Sequence, residues 1–278
     1  MPGKTMIPIG ILTPNGLIDA PYSASSLAEA ATKEPQGVYT LGRTFKRDHV
    51  LMLDDHLDRL EQSAVLEHIP LHLDRAALRR ALRSLIDRSG YPDSRYRITI
   101  PRETPDQPLI SLEPYRPVPP EVLAHGAKVI TVHKERQNPA AKTTAWMAQR
   151  RSTVEGFPPG IYEAILVSAD GKLLEGTSSN YYAILGGILR TAEEGVLSGI
   201  ARRALLQIAP AIVPVDLRPV TIAQIGALQE ALLTSAGRGV VPIVMIDGQA
   251  IGDGQPGPIT RCLQDAYDDW ANAHLEKL

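Results

Sequence analysis

Two turns 24 residues apart carry the side chains most able to do chemistry (199 − 175 = 24). The first follows the apolar pair Leu173-Leu174. Glu175 stands at the mouth of that strand, and Gly176-Thr177-Ser178-Ser179-Asn180 turns the chain. The second, Leu197-Ser198-Gly199-Ile200, runs straight into the helical stretch Ala201 to Ile208. A Ser-Gly helix start leaves backbone N–H groups without intrahelical acceptors, and such an end attracts an anion, typically a phosphate. A carboxylate at one turn and a phosphate-ready helix at the other point to a cofactor with both a basic ring and a phosphate. Taken alone, Glu-Gly-Thr-Ser-Ser-Asn is a plain turn more often than a site, so the remaining parts have to be found elsewhere.

The run Glu175-Gly176-x-x-Ser179-Asn180, followed by Gly199-Ile200-x-Arg202, resembles the signature of the fold-type IV pyridoxal-phosphate enzymes. That family holds the branched-chain aminotransferases, the D-amino acid aminotransferases and the aminodeoxychorismate lyases. The resemblance runs from about Gly37 to Pro258 and implies pyridoxal 5′-phosphate as cofactor, bonded by a lysine. Lys142 is the candidate, in Asn138-Pro139-Ala140-Ala141-Lys142-Thr143-Thr144-Ala145-Trp146. Its neighbours are small or apolar, and no other charge occurs between Arg136 and Arg150, a setting that desolvates and activates an amine. Its distance from Glu175 (175 − 142 = 33) is close to the family interval, and Tyr162-Glu163-Ala164 between them is similar too.

On the same resemblance, Glu175 pairs with the pyridine nitrogen and keeps it protonated. Arg59, in His56-x-x-Arg59-Leu60, matches the arginine that binds the phosphate, where its fork suits a phosphate group; His56 reads as structural. Gly199, Ile200 and Ala201 supply helix-start donors, with Ser179, Asn180, Ser235 and Ala236 completing the cofactor set. Two positions depart from the family: Ala201 and Ala236 stand where threonines are usual. The Ser235 hydroxyl is the available substitute.

On the substrate side, Tyr39, Leu41 and Arg43 alternate onto one strand face, which in the family borders the active site. Arg43 is the candidate for a substrate carboxylate, with Arg97 and Arg102 as further cations nearby. The Arg-x-His of D-amino acid enzymes is absent around Tyr96 to Glu103. Thr40 stands where branched-chain enzymes usually carry glutamate and is more like the lyases, whereas the residues after Lys142 and the Glu175 turn are more like aminotransferases. The expected activity is transfer of an amino group from a branched-chain amino acid, a D-amino acid or an amine to a 2-oxo acid. A 4-amino-4-deoxychorismate lyase is the alternative, and a binding protein for a phosphorylated ligand is the alternative outside catalysis.

Composition narrows the partners. A net charge of −2 gives no field favouring nucleic acid or an anionic membrane, and 5% aromatic residues are too few for a stacking platform. One cysteine, Cys262, allows no internal disulfide and no zinc site. Met1-Pro2-Gly3-Lys4 lacks the apolar core of a signal peptide, and no stretch approaches a membrane span. These features suit a cytoplasmic enzyme, and family precedent implies a homodimer with active sites near the interface.

The elements that must position these residues read as α+β (α/β in the broader sense). A small N-terminal α+β domain, 1–118, precedes a larger β-rich cofactor domain with outer helices, 119–278. The proline run Tyr115 to Pro120 is the linker between them. The expected strands include Gly37 to Phe45, Ser94 to Ile100, Tyr162 to Val167, Tyr181 to Leu185 and Ile212 to Leu217. Helices are expected at Asp55 to Leu66 with Asp54-Asp55 as cap, Asp74 to Ser89, Lys142 to Val154, Ile200 to Ile208, and about Pro258 to Lys277.

Overall fold

The computed structural model describes residues 5–278. The Met1-Pro2-Gly3-Lys4 run read for a signal peptide lies outside the described residues. The chain forms two compact units. One takes the chain up to Arg116 together with Ala141–Gln149 and His274–Leu278; the other takes Pro117–Ala140 and Arg150–Ala273.

The first unit is built on β1 (Ile9–Thr13), β2 (Gly16–Asp19), β3 (Gly37–Phe45), β4 (His49–Leu51), β5 (Ser94–Pro101) and β6 (Leu109–Pro114). A C-terminal strand, Leu275–Lys277, joins them in an antiparallel sheet ordered Leu275–Lys277, β4, β3, β5, β6, β1, β2. Alternation along β3 and β5 sends Val38, Ile98 and Ile100 to one face. There they pack with Leu57 and Leu60 of α2 (Leu53–Leu66) and Leu78, Leu82 and Leu85 of α3 (Arg75–Ser89). The opposite face carries Tyr39, Leu41 and Arg43, each directly across from Thr99, Arg97 and Arg95. A short helix, α1 (Leu27–Ala30), packs Leu27 and Ala30 with Ile7, Ile9 and Leu41.

The second unit is a barrel. Its strands are β7 (Ala127–His133), β8 (Glu163–Val167), β9 (Leu173–Gly176), β10 (Asn180–Leu185), β11 (Ile188–Arg190), β12 (Val215–Asp216), β13 (Glu230–Ser235), β14 (Gly239–Ile246) and β15 (Gln249–Ala250). β10, β13, β14, β7, β8 and β9 follow one another, and β9 pairs back onto β10 through Glu175 and Asn180. Val129, Ile165, Leu173, Tyr181, Leu233 and Val241 fill the interior. Helices α4 (Pro120–His125), α6 (Ile200–Ile208) and α7 (Pro258–Ala273) belong to this unit. The remaining helix, α5 (Thr144–Glu155), begins in the first unit and ends in the second.

The α+β reading is borne out, with corrections at several boundaries. α5 starts two residues after Lys142, because residues 142–143 pair with β3 instead: Tyr39 N–H donates to Lys142 C=O at 2.9 Å, and Val38 bridges Thr143. α2 is entered through Met52 in a left-handed conformation (φ 52°), so Asp54 and Asp55 occupy the first turn and neither caps it. The expected strand at Ile212 to Leu217 shrinks to Val215–Asp216, since Ala209–Ala211 continues α6 as a 3-10 turn. α7 stops at Ala273, and the chain then becomes the edge strand on β4.

Candidate active site

Glu175 sits where the barrel closes, and its side chain is nearly inaccessible (4% exposed). A buried carboxylate needs partners. Arg136 Nη1 donates to Oε1 at 3.0 Å, and the Leu197 N–H donates to Oε2 at 2.9 Å. Arg136 was missed in the sequence; its only signal is that it is the last charge before the uncharged run leading to Lys142.

Across the closing register, Asn180 Nδ2 donates to Leu197 C=O at 2.8 Å. Leu197 is therefore held at its C=O by Asn180 and at its N–H by Glu175, which fixes the entry to α6. Gly199 is the N-cap, extended and without a side-chain cap. A Cβ there would lie 2.2 Å from Asn180 Oδ1, so only glycine lets the two turns meet. The first intrahelical bond of α6 runs from Arg203 N–H to Gly199 C=O, leaving the N–H groups of Ile200, Ala201 and Arg202 without i−4 acceptors. Ala201 offers backbone only. Arg202 turns aside to donate to Ala192 C=O at 2.8 Å. This end of the barrel thus joins a buried carboxylate to an uncapped helix start, and a ring with a basic nitrogen and a phosphate fits both.

The turn after Glu175 is braced by Glu163 of β8. Glu163 Oε1 accepts from Ser178 N–H at 2.6 Å, and Arg238 Nη1 donates to Oε2 at 2.8 Å. Burial alone would raise the Glu163 pKa, but the Arg238 charge and the Ser178 and Ser179 donors hold it below the usual carboxylate value. Gly176 permits this closeness, since a Cβ there would stand 2.2 Å from Ser179 Oγ. Ser235 Oγ accepts from Arg238 Nε at 2.9 Å, and Ala236 follows in the turn between β13 and β14. Accepting from Arg238 leaves the Ser235 O–H proton able to donate.

In the first unit, Lys142 is fixed at both ends of its peptide. Its N–H donates to Ser63 Oγ at 3.1 Å and its C=O accepts from Tyr39. Its Nζ lies 4.7 Å from the centre of the Tyr39 ring, a cation–π contact. Ser63, one helical turn beyond Arg59, donates to the Arg59 C=O at 2.7 Å. Arg59 is itself buried (4% exposed), and its Nη2 donates to Thr40 Oγ1 at 3.1 Å. Thr40 Oγ1 lies 2.7 Å from His56 Nδ1. Since Thr40 accepts from Arg59, its hydroxyl proton is free to bond His56, which explains the buried histidine.

The Arg43 guanidinium is sandwiched between Phe45 and Tyr115, 4.0 and 4.4 Å from the ring centres. Arg97 has a different fate. It is buried (2% exposed), ion-paired with Glu34, and donates through Nη1 to Leu27 C=O at 2.9 Å. With its guanidinium so engaged, Arg97 drops out of the substrate set expected from the sequence. Arg102 is likewise engaged, donating to both the C=O and the carboxylate of Glu67. Among the described residues no group of His, Cys, Asp or Glu side chains could hold a metal ion.

Residues 37–246 match the family described as amino-transferase class IV. The chain is 28% identical over 251 residues to a D-alanine aminotransferase of Bacillus licheniformis, covering 84% of this chain and 87% of that one. It is 30% identical over 165 residues to a branched-chain-amino-acid aminotransferase of Pseudomonas aeruginosa, covering 56% and 53%. Among solved structures, the branched-chain amino acid aminotransferase of T.th. with pyridoxamine 5′-phosphate is similar with a TM-score of 0.82 over 99% of each chain. At 19% identity that is a likeness of fold.

Proposed function

The chain belongs to the class IV aminotransferases, and we propose from that premise that Lys142 is its reacting amine and Glu175 its partner for the cofactor ring. The enzyme moves an amino group from a donor to a 2-oxo acid and uses pyridoxal 5′-phosphate. What supports Lys142 most is its setting: the backbone is anchored on Ser63 and Tyr39, and the ammonium lies 4.7 Å from the centre of the Tyr39 ring. In the second unit Glu175, the uncapped N–H groups of Ile200 and Ala201, and the Gly199 approach suit the ring nitrogen and the phosphate. Arg59 is the proposed guanidinium partner of that phosphate, in the first unit.

When bound, the cofactor supplies the electron sink that lets the donor's α-carbon give up a proton. Lys142 Nζ would take that proton as a general base and later give it back as a general acid. Glu175, paired with Arg136, holds a proton at the ring nitrogen. Tyr39 shields one side of the lysine from water. Arg43, stacked between two rings, presents its guanidinium to a substrate carboxylate. The proposed donor is of the kind named for the relatives, a D-amino acid or a branched-chain amino acid. We propose a cytoplasmic homodimer, following family precedent.

A donor panel with both enantiomers tests the reading. A donor without acceptor should bleach the visible band of the holoenzyme, and adding pyruvate should restore it. If no donor bleaches the band while aminodeoxychorismate releases pyruvate, the lyase takes its place.

A further inference from the structure

Glu34 is a carboxylate inside a complete carboxylate-binding site that belongs to the sheet of the first unit. Its Oε1 accepts from Arg97 Nη2 and from Ser111 Oγ at 2.9 Å, and its Oε2 accepts from Thr99 Oγ1 at 2.8 Å. Both members of the ion pair are buried, with side chains 1% and 2% exposed. All three donors stand on one face of β5 and β6: Arg97 and Thr99 are two residues apart, and Ser111 is directly across from Arg97. The Tyr22 hydroxyl is buried too and has no hydrogen-bond partner. The donors are therefore set by strand register. The anion is brought by a separate segment, the bend that follows α1.

The location gives this pair a meaning beyond packing. Thr99 is directly across from Tyr39, and the Tyr39 ring carries the Lys142 ammonium. Side chains paired in this way stand about 5 Å apart on one face. Arg97 Nη1 also comes within 3.8 Å of Met147 Sδ, five residues past Lys142 (147 − 142 = 5). The site filled by Glu34 is thus the neighbour of the reacting lysine on the same sheet face.

We propose that Glu34 is a specificity-determining residue: it occupies, with the chain's own carboxylate, a subsite that would otherwise receive the distal carboxylate of a dicarboxylic substrate. The inference rests on Lys142 being the reacting amine. With Glu34 in place Arg97 is already neutralised, and a glutamate or 2-oxoglutarate side chain would meet a like charge where it needs a cation. Substrates with uncharged side chains meet no such conflict. The enzyme is accordingly selective for monocarboxylic amino acids and 2-oxo acids.

The test compares holoenzymes of the wild type, Glu34→Ala and Glu34→Gln by kcat/KM for pyruvate against 2-oxoglutarate, and by calorimetric binding of glutarate against butyrate. The wild type should favour pyruvate by at least about tenfold and bind no glutarate. Glu34→Ala should shift the ratio about tenfold or more toward 2-oxoglutarate and bind glutarate, and Arg97→Ala added to it should abolish both gains. Acetate should raise the melting midpoint of Glu34→Ala and leave that of the wild type unchanged. If Glu34→Ala does not fold, Glu34→Gln carries the test, with a smaller shift in the same direction. An unchanged acceptor ratio without glutarate binding in a folded variant overturns the proposal, as does a wild type that uses 2-oxoglutarate as well as pyruvate. If no variant turns over any substrate, the role of Lys142 fails, while glutarate binding still decides that of Glu34.

Discussion

Arg136 and Glu175 form an ion pair of 3.0 Å in which each side chain is only 4% exposed. Removing one partner from such a pair leaves the other charge buried without its counter-charge. Arg136→Ala should therefore cost about 3–5 kcal/mol of stability, read from the denaturant midpoint of the apo-protein. A loss below about 1 kcal/mol would show that Glu175 finds another partner.

Ser63 links α2 to Lys142 by one hydrogen bond on each side of its hydroxyl. Ser63→Ala should cost about 0.5–1.5 kcal/mol of stability and lower kcat more than it raises KM. The expected cause is a loosened lysine backbone, since Ser63 accepts from the Lys142 N–H. An unchanged kcat would confine Ser63 to stability.

Much of this was readable in the chain, because the relevant residues act locally. Glu175, Asn180 and Gly199 lie in turns whose small residues have few other uses, and the two turns meet at Leu197, held by Glu175 and Asn180. The residues that escaped are the ones whose partners lie far along the chain. Arg136 looks like any loop arginine until β9 brings Glu175 to it. Arg97 looks like a substrate cation until Glu34, 63 residues earlier, is folded onto it (97 − 34 = 63). The last three-residue strand reads as the end of a helix because its β character comes entirely from pairing with β4. Lys142 reads as helical for the same reason: the contact with β3 keeps residues 142–143 out of the helix.

Gly199→Ala would drive a methyl group into Asn180 Oδ1, and Asn180 is tied to Leu197. The shift should displace the start of α6 and weaken cofactor binding about tenfold or more. Titration of the apo-variant with pyridoxal 5′-phosphate, followed by fluorescence, measures this without turnover. Unchanged affinity would remove the α6 start from the phosphate site.

The Glu163–Arg238 pair sets an acid limit. Its carboxyl pKa lies below the ordinary 4.5 in the folded state, so the unfolded chain binds the proton first as pH falls. The stabilisation is complete above that ordinary value and is lost as pH drops through the folded one. The stability gap between wild type and Glu163→Gln should accordingly narrow as the pH falls from the ordinary 4.5 through the lower folded pKa. A gap that stays constant over this range would mean that the charge on Glu163 contributes nothing.

The central claim is that Lys142 is the reacting amine, and borohydride reduction of the holoenzyme followed by peptide mass mapping addresses it most directly. The account predicts the reduced cofactor on Lys142 alone, and no covalent label and no visible cofactor band in Lys142→Ala, whose fold is intact by circular dichroism. Recovery of the label on a different lysine, or a visible band that survives in Lys142→Ala, would contradict it.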